Sequence, residues 1–429
     1  MRLRSLAVLL SLSVAACFHA TGSPPAVPAG VRNGLTWTEV LRLNSARDYF
    51  TLRDRLEKTG EGEVPPARYA RALIQHAFNA PAASNATIVS LLSGASLPDS
   101  LAADLRQIQL ANHLRLFEYA AGLAVADALL ADTVTLSPAE LRDVRNLRRV
   151  FRALAAVPPQ TSEVRGPSRL RLYRGRVPVQ VNDSVRSYGI DTGANLSVLM
   201  RSEAEALGLR ILPAGIDVGT STDQRITADL GVADRLTIGE VHYRNVVFLV
   251  LDDELLTFPD GSRIPGLIGF PVIEGMGEIQ MSAAGELFVP EVIPARPQPN
   301  LALHELTPLT RVRWGKQVLL CRLDTGAGTT QLYEPFYRRF RERIDAAAEA
   351  TTRPWGGAGG VRELPVRILS DVELALGDTA VALDSVAVLT QSIVRSEAEN
   401  YLDCNIGRDI LGSFSRYVLN FRDMAFLLR

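Results

Sequence analysis

The chain has 429 residues, of which 47% are hydrophobic and 22% are charged, so its length predicts two or three domains and its composition excludes a disordered chain. Its 46 basic and 47 acidic residues nearly cancel, which excludes a global basic field, and we predict no nucleic-acid partner. The three cysteines are too few for a disulfide scaffold or a four-thiolate zinc site, and no HExxH, Walker A or GxSxG motif is present.

The N-terminus predicts export. A short basic start precedes a run of small and apolar residues at 5–16. This run is too short to span a bilayer comfortably, but it fits the core of a signal peptide. Small residues directly before Cys17 resemble a bacterial lipobox. This resemblance implies that Cys17 carries lipid and anchors the protein in a membrane, whereas the alternative is an ordinary signal peptide with Cys17 incidental. Phe18 in place of Asp would fit the periplasmic face of the outer membrane in a Gram-negative host.

The next segment predicts an all-α domain, because apolar residues recur there at helical spacing. Ser137 and Glu140 form a capping-box pattern that begins its last helix, which runs through Leu154. Such helices resemble tetratricopeptide-like hairpins without a clean repeat signature, and an irregular α-bundle is the alternative. The earlier helices are predicted at about 36–59 and at 67–78, 101–116 and 117–131.

The remainder predicts a duplicated β domain. Two proline-rich linkers, at 158–163 and 291–299, delimit segments in which apolar residues alternate with polar ones, as in short β-strands. Both segments carry the same ordered signals, which indicates an internal duplication. The predicted organisation is a signal peptide at 1–16, a tether at 17–33, a helical domain at 34–157, β segments at 165–290 and 300–429, and a linker at 291–299.

The motif Asp-Thr-Gly-Ala occurs once in each β segment, beginning at Asp191 and at Asp324. Each aspartate follows an apolar strand reached through a hairpin, and each alanine precedes a helix-like stretch. Each segment then closes on an apolar run with a glycine. Two motifs in matched contexts are poorly explained as chance turns. The matched features are turns at 182–184 and 314–316, helices at 200–209 and 332–348, and the glycines Gly269 and Gly407.

This pattern resembles the aspartic proteases, in particular the retropepsin-like ones. The resemblance implies an all-β bilobal acid-protease fold of two pseudo-twofold related β-barrel lobes in one chain, with one shared cleft and no cofactor. It implies that Asp191 and Asp324 are catalytic. The resemblance also implies a supporting role for the neighbouring Thr192, Gly193, Thr325 and Gly326.

Two carboxyls that share one proton can hydrolyse a peptide bond without a metal. Like charges so close together cannot both ionise, so one carboxylate acts as a general base on water. The other carboxyl stays protonated and donates to the substrate carbonyl oxygen. The residue types at Asp191 and Asp324 therefore suit this chemistry.

Two further features depend on the resemblance. A glycine-rich run supplies flap candidates in the second segment, whereas 218–224 in the first is less flap-like, and a plain loop is the alternative. Cys321 and Cys404 each lie three residues before a motif residue, Asp324 or Gly407, which predicts neighbouring positions and permits a disulfide in an oxidising compartment; buried free thiols are the alternative. The flap candidates are Gly356, Gly357, Gly359 and Gly360.

The favoured function is a membrane-anchored aspartic endopeptidase acting on a peptide or protein substrate. One alternative is a non-catalytic peptide-binding protein that retains the protease fold. Another is an adaptor in which the helical domain at 34–157 is the interaction module for a protein partner. Both intact aspartates favour the enzyme over these alternatives.

Overall fold

The computed structural model describes residues 34–59, 62, 64–94, 97–131, 136–219, 225–296, 299–358, 360–392 and 401–429. The predicted signal peptide, the tether and Cys17 lie outside these described residues. The chain divides into two compact units. A helical unit contains residues 34–159 and Ala302–Leu306, and a β unit contains Gln160–Leu301 and Thr307–Arg429. None of the helices in the described ranges combines the length and the apolar character needed to cross a membrane.

Seven helices among the described residues form the helical unit. The single helix predicted near 36–59 is two helices, because Arg47 adopts a left-handed backbone (φ 51°) between them. The helix at 81–94 was not predicted, since its small and polar residues give no clear apolar stripe. The helices are α1 (Trp37–Ser45), α2 (Tyr49–Thr59), α3 (Pro65–Ala77), α4 (Pro81–Gly94), α5 (Asp99–Arg115), α6 (Tyr119–Ala131) and α7 (Pro138–Leu154).

The capping box of α7 is confirmed. The Glu140 amide donates to Ser137 Oγ at 3.3 Å, and the Ser137 amide donates to the Glu140 carboxylate at 2.7 Å. Consecutive helices pack on each other, and close packing of α6 on α7 depends on Gly122, because a Cβ there would overlap the Phe151 ring. The segment Ala302–Leu306, predicted as part of the second β segment, packs in this unit, where the Glu305 amide donates to His76 Nε2.

The β unit begins earlier than predicted. The predicted linker at 158–163 includes strand residues, because Thr161–Val164 pairs with the strand at Val241–Leu251. The predicted helix at 200–209 is shorter, since residue 200 still belongs to a strand. The elements of this first half are β1 (Thr161–Val164), β2 (Ser168–Arg171), β3 (Arg176–Val181), β4 (Ser184–Ile190), β5 (Ser197–Met200), α8 (Arg201–Ala206), β6 (Arg210–Gly219), β7 (Arg225–Ile238), β8 (Val241–Leu251), β9 (Gly266–Ile268), α9 (Phe270–Glu274), β10 (Glu278–Ser282) and β11 (Glu286–Val289).

The second half repeats this order. The helix predicted at 332–348 is present but begins at Glu334, because Leu332 still belongs to a strand. Both predicted hairpin turns are confirmed, since Val181 pairs with Ser184 and Trp314 with Gln317. The elements are β12 (Leu301–His304), β13 (Thr307–Trp314), β14 (Gln317–Leu323), β15 (Gln331–Leu332), α10 (Glu334–Ala347), β16 (Glu349–Gly357), β17 (Gly360–Leu376), β18 (Thr379–Leu389), β19 (Cys404–Ile406), α11 (Arg408–Leu411), β20 (Arg416–Asn420) and β21 (Ala425–Leu428). We refer below to β1–β11 as the first half and to β13–β21 as the second half.

Each half contains a closed barrel. In the first half the strands follow the order β8-β5-β9-β4-β3-β7, and β7 also pairs with β8, which closes the ring. In the second half the order is β18-β15-β19-β14-β13-β17, and β17 pairs with β18. Side chains that point into these rings are mostly Val, Ile and Leu, as expected for strands that are half buried. The protein therefore has an N-terminal helical region followed by a β-barrel-containing region.

A five-stranded sheet joins the two halves in the order β2-β11-β10-β20-β21. At its centre β10 and β20 are antiparallel, with Gln280 opposite Val418. Glu278 is fully buried in this sheet, and its carboxylate accepts hydrogen bonds from the Arg296 guanidinium at 2.8 Å and from Asn420 Nδ2 at 2.7 Å. Because Arg296 is the cation paired with this buried carboxylate, removing Arg296 would leave the charge uncompensated, whereas removing Asn420 would cost one hydrogen bond.

Candidate active site

The two motif aspartates lie directly after equivalent strands. Asp191 follows β4, and Asp324 follows β14. In both halves this strand runs parallel to the short strand that precedes the terminal glycine. The Asp191 amide donates to the Ile268 carbonyl at 3.0 Å, and the Asp324 amide donates to the Ile406 carbonyl at 3.1 Å. The same backbone hydrogen bond therefore begins both loops.

Two threonines tie the loops to each other. The Thr192 amide donates to Thr325 Oγ1, and the Thr325 amide donates to Thr192 Oγ1, both at 3.0 Å. Each hydroxyl then donates to the strand of the opposite loop, Thr192 to the Leu323 carbonyl at 2.8 Å and Thr325 to the Ile190 carbonyl at 3.0 Å. All four hydrogen bonds are buried, so they fix the relative position of the two aspartates.

The glycine of each motif contacts the carboxyl of the opposite motif. A Cβ atom built on Gly193 would lie 2.7 Å from Cγ of Asp324, and one built on Gly326 would lie still closer to Cγ of Asp191. No real side chain could occupy that space. The structure therefore brings together Asp191, Asp324 and the supporting residues predicted from the sequence.

The two carboxyls are both buried but have unequal partners. Asp191 and Asp324 are each 1% exposed. Asp191 Oδ1 accepts one backbone hydrogen bond, from the Gly193 amide at 2.8 Å, and Oδ2 receives none from a backbone amide in the described ranges, while the Asp191 carboxyl hydrogen-bonds with that of Asp324. Asp324 Oδ1 accepts two, from the amides of Gly326 at 3.0 Å and Ala327 at 2.9 Å.

The environment favours a proton on Asp191. Burial raises the pKa of the Asp191 carboxyl well above its usual range, and the negative charge of Asp324 raises this pKa further. The hydrogen bond from the Gly193 amide and, to a smaller extent, the positive charge of Arg322 oppose this shift without reversing it. A buried carboxyl that retains its proton beside an ionised one can donate to a carbonyl oxygen while its neighbour accepts a proton from water.

The terminal glycines hold the back of each loop. The Gly269 amide donates to Ser197 Oγ and the Gly407 amide to Thr330 Oγ1, both at 3.0 Å. A Cβ on Gly407 would overlap the backbone of Thr329, so glycine is required by close approach at this position. Gly269 and Gly407 thus mark the points at which the segments after β9 and β19 pack against the aspartate loop of the same half.

Cys321 and Cys404 are direct neighbours in the parallel pair β14–β19. Their Cα atoms are 4.6 Å apart, and the structure joins them in a disulfide. This bond links the strand that precedes Asp324 to the strand that precedes Gly407. The first half has Tyr188 and Gly266 at the equivalent positions, and the Tyr188 ring fills the space above that glycine.

The glycine-rich run forms the tip of the β16–β17 hairpin. In this hairpin Gly356 pairs with Val361 and Gly357 with Gly360, whereas Gly359 lies outside the described residues. Gly360 has a φ of 119°, which strongly favours glycine. In the first half the equivalent hairpin joins β6 to β7, and its tip at 220–224 is outside the described part of the chain.

A polar layer beneath Asp324 was not predicted. Arg322 is 4% exposed, its Nε donates to Asn405 Oδ1 at 2.7 Å, and its Nη2 lies 3.4 Å from Asp324 Oδ2. Asn405 Nδ2 in turn donates to Gln331 Oε1 at 3.4 Å. The available signal was an arginine inside an otherwise apolar strand, two residues before the motif. No cluster of three or more His, Cys, Asp or Glu suited to a metal ion occurs in the described ranges.

One comparison with known proteins, a family model, covers the motif of the first half. The family model described as aspartyl protease matches residues 177–272, which run from β3 to α9. Among solved structures, a retropepsin-like aspartic protease from Rickettsia conorii aligns with 19% identity over 31% of this chain and 95% of that chain, with a TM-score of 0.21. No curated protein matches the sequence. Residues 177–272, which include Asp191, are therefore similar to the aspartyl protease family.

Proposed function

We propose that this chain is an aspartic endopeptidase in which Asp191 and Asp324 activate one water molecule. The observation that carries the proposal is the reciprocal pair of hydrogen bonds between Thr192 and Thr325. These bonds hold the two loops so that each buried carboxyl contacts the motif glycine of the opposite loop. The aspartyl protease match over 177–272 supports the same function independently of this geometry.

The reaction needs no group beyond the dyad and water. The ionised carboxyl takes a proton from water while the water oxygen attacks the peptide carbonyl carbon. The protonated carboxyl gives its proton to the carbonyl oxygen, which produces a gem-diol. When the C–N bond breaks, the first carboxyl passes its new proton to the leaving nitrogen and the second recovers a proton from a gem-diol hydroxyl. The dyad thus returns to its singly protonated state.

We propose further that the two halves are lobes related by a pseudo-twofold axis, with one substrate cleft between them. Two observations support this arrangement. The threonine hydrogen bonds are unchanged when the halves are exchanged, and the antiparallel pairing of β10 with β20 is centred on Gln280 and Val418. In this arrangement the β16–β17 hairpin, with Gly356, Gly357 and Gly360, would be the flap that excludes water from the cleft.

We also propose that Cys17 is lipidated and holds the enzyme at a membrane of the cell envelope. The support is the sequence before Cys17, which resembles a lipobox. Replacing Cys17 by Ser should release the protein into the soluble fraction or leave it unprocessed. A processed C17S protein that still fractionates with membranes would show that the anchor lies elsewhere.

The test of the enzyme uses the full chain and a denatured protein substrate at several pH values from acidic to neutral. Asp191→Asn and Asp324→Asn should each lower the cleavage rate by several orders of magnitude, and the double variant should be no slower, because the two groups act as a unit. A pepstatin-type inhibitor should abolish wild-type cleavage. Asp183→Asn is the matched control, since this side chain is 87% exposed in the hairpin before β4.

The outcomes separate the candidate functions. If Asp191→Asn cleaves as fast as the wild type, the two loops do not form one active site. If the wild type binds peptides without cleaving them, the protein is a binding protein that retains the fold. Thermal unfolding of each variant shows whether a loss of cleavage reflects chemistry or a loss of structure.

A further inference from the structure

The environments beneath the two aspartates differ in one layer of side chains. The strand pairings define equivalent positions, because the same register relates β4, β5 and β9 to β14, β15 and β19. The layer is polar in the second half and apolar in the first. Its members are Arg322, Asn405 and Gln331 in the second half, and Gly189, Leu267 and Val198 at the equivalent positions in the first.

Arg322 is held in place within this layer. Its Nε donates to Asn405 Oδ1 at 2.7 Å, and its guanidinium carbon lies 5.9 Å from the centre of the Tyr333 ring. Nη2 then lies 3.4 Å from Asp324 Oδ2. A buried guanidinium requires a negative partner, and a carboxylate at this distance supplies one. The first half has no such cation, because Gly189 occupies the equivalent position.

The hydrogen bonds add to the effect of this charge. The Asp324 carboxyl accepts hydrogen bonds from two backbone amides and lies beside the Arg322 guanidinium, whereas the Asp191 carboxyl accepts a hydrogen bond from one backbone amide. Donors and positive charges stabilise the ionised form of a carboxyl. In a pair that carries one proton, the carboxyl with more hydrogen-bond donors and a nearby positive charge is the ionised member.

We propose that Arg322 is a positioning residue that makes the two carboxyls unequal, so that Asp324 holds the negative charge and Asp191 holds the proton. The catalytic roles that follow from this charge distribution rest on the proposed function, whereas the charge distribution itself does not. In the reaction Asp324 is then the base that takes the proton from water. Asp191 is the acid that donates to the carbonyl oxygen.

Other charged groups near this layer have partners of their own. Asp403, which precedes β19, accepts the Leu320 amide at 2.9 Å and pairs with Arg339 at 3.4 Å. Asp409 in α11 accepts the amide and the hydroxyl of Thr330, both at 2.7 Å. Besides Asp191 and Arg322, the titratable or charged groups on the described elements beside Asp324 are Arg311 and Arg313 on β13, Asp403 and Tyr333 next to β19 and β15, and Arg408 and Asp409 in α11.

The kinetic test is the pH profile of kcat/KM for Arg322→Gln. The acid limb reports ionisation of the dyad, and loss of the cation should move it upward by about one pH unit or more. The alkaline limb should move less, because the second proton leaves from Asp191, whereas the ion pair of Arg322 is with Asp324. Arg322→Lys keeps the charge and should keep the acid limb near its wild-type position. Arg313→Gln is the control, because this arginine is exposed on the neighbouring strand β13.

An acid limb of Arg322→Gln that coincides with the wild-type limb would overturn the proposal while leaving the protease function intact. A wild type that cleaves nothing would overturn the proposed function, and the charge assignment is then tested by ¹³C-carboxyl titration of the full chain. The resonances of Asp191 and Asp324 are identified by their loss in the Asn variants. In the wild type Asp324 should ionise first, and in Arg322→Gln its titration should move to higher pH; unchanged titrations would refute the assignment.

A second variant is available if Arg322→Gln fails to fold. Replacing Arg322 by Gly, Asn405 by Leu and Gln331 by Val copies the layer that the first half already packs. This triple variant should show the same upward shift of the Asp324 titration. If its two carboxyls titrate as in the wild type, the polar layer does not set the charge on the dyad.

Discussion

The first and second halves of the β unit share the strand pairings that carry an aspartate, yet they differ in the side chains packed beneath it. Both halves begin the loop with the same backbone hydrogen bond and close it on a glycine amide. Beneath the loop, the first half has Leu267 and the Tyr188 ring, whereas the second half has a disulfide and the buried Arg322. The two halves therefore match more closely in backbone hydrogen bonding than in side-chain packing.

This difference follows from what each contact must do. A backbone amide or a threonine hydroxyl that crosses between the loops has one partner at one distance, so few other residues can replace it. A position under the loop needs only to be filled, and apolar, covalent or polar solutions can all fill it. Because the solutions differ in charge, two loops with the same backbone hydrogen bonds place their carboxyls beside different partners.

The largest expected effect comes from adding a methyl group where the halves meet. Gly326→Ala and Gly193→Ala would each force a Cβ into the opposite carboxyl, and misplacement on the order of 1 Å can cost roughly 10²-fold in rate. Gly326→Ala should be the more harmful, since its Cβ would lie closer to the carboxyl. Gly94→Ala is the control, because nothing lies within 4 Å of a Cβ there. Equal cleavage rates for Gly326→Ala and the wild type would contradict the described contact.

The disulfide should make the second half more dependent on covalent bonding than the first. Replacing both Cys321 and Cys404 by Ala should lower the free energy of unfolding by about 2–4 kcal/mol, because the bond closes a loop with a sequence separation of 83 residues. Urea unfolding with and without reductant measures this. Reductant should weaken the wild type and leave the double variant unchanged. A wild type that is insensitive to reductant under unfolding conditions would argue against the bond.

The threonines should contribute equally from both halves, despite the different packing beneath them. Thr192→Val or Thr325→Val leaves a buried amide without its acceptor and should cost about 1–3 kcal/mol of unfolding free energy. The double variant should cost less than the sum, because both residues belong to one network. Thr192→Ser retains the hydroxyl and serves as the control. A loss confined to one of the two Val variants would mean that the loops are not held reciprocally.

The smallest expected effect is a pH dependence that differs between the aspartates. The folded-state pKa of Asp191 is raised by burial, so the folded protein binds more protons than the unfolded chain above about pH 4. Stability from this group is therefore present at low pH and lost as the pH rises through the folded pKa. Asp191→Asn removes this loss, so the variant should gain stability relative to the wild type at pH 7, and its advantage should be smaller at pH 4. If Asp191→Asn has a lower free energy of unfolding than the wild type at pH 7 but not at pH 4, the predicted sign is wrong.

Local signals in the sequence were sufficient for several elements. Ser137 and Glu140 predicted the start of α7, and the turn residues around 182–184 and 314–316 predicted the two hairpins, because capping and turn formation depend on residues a few positions apart. The repeated Asp-Thr-Gly-Ala predicted two equivalent loops. The left-handed break at Arg47 and the unpatterned α4 gave no such local signal.

By itself, therefore, the sequence determined the paired motifs, the residues of the two loops and the glycines that close them, since these rest on motifs whose chemistry is local. Only the tertiary structure decided that Thr161–Val164 joins a barrel, that Ala302–Leu306 packs with the helices, and that Arg322 lies buried beside Asp324. Those outcomes depend on which strand or helix becomes the neighbour. Whether Arg322 turns towards Asp324 depends on burial and on its contact with Asn405, 83 residues further along the chain, and no local pattern specifies either.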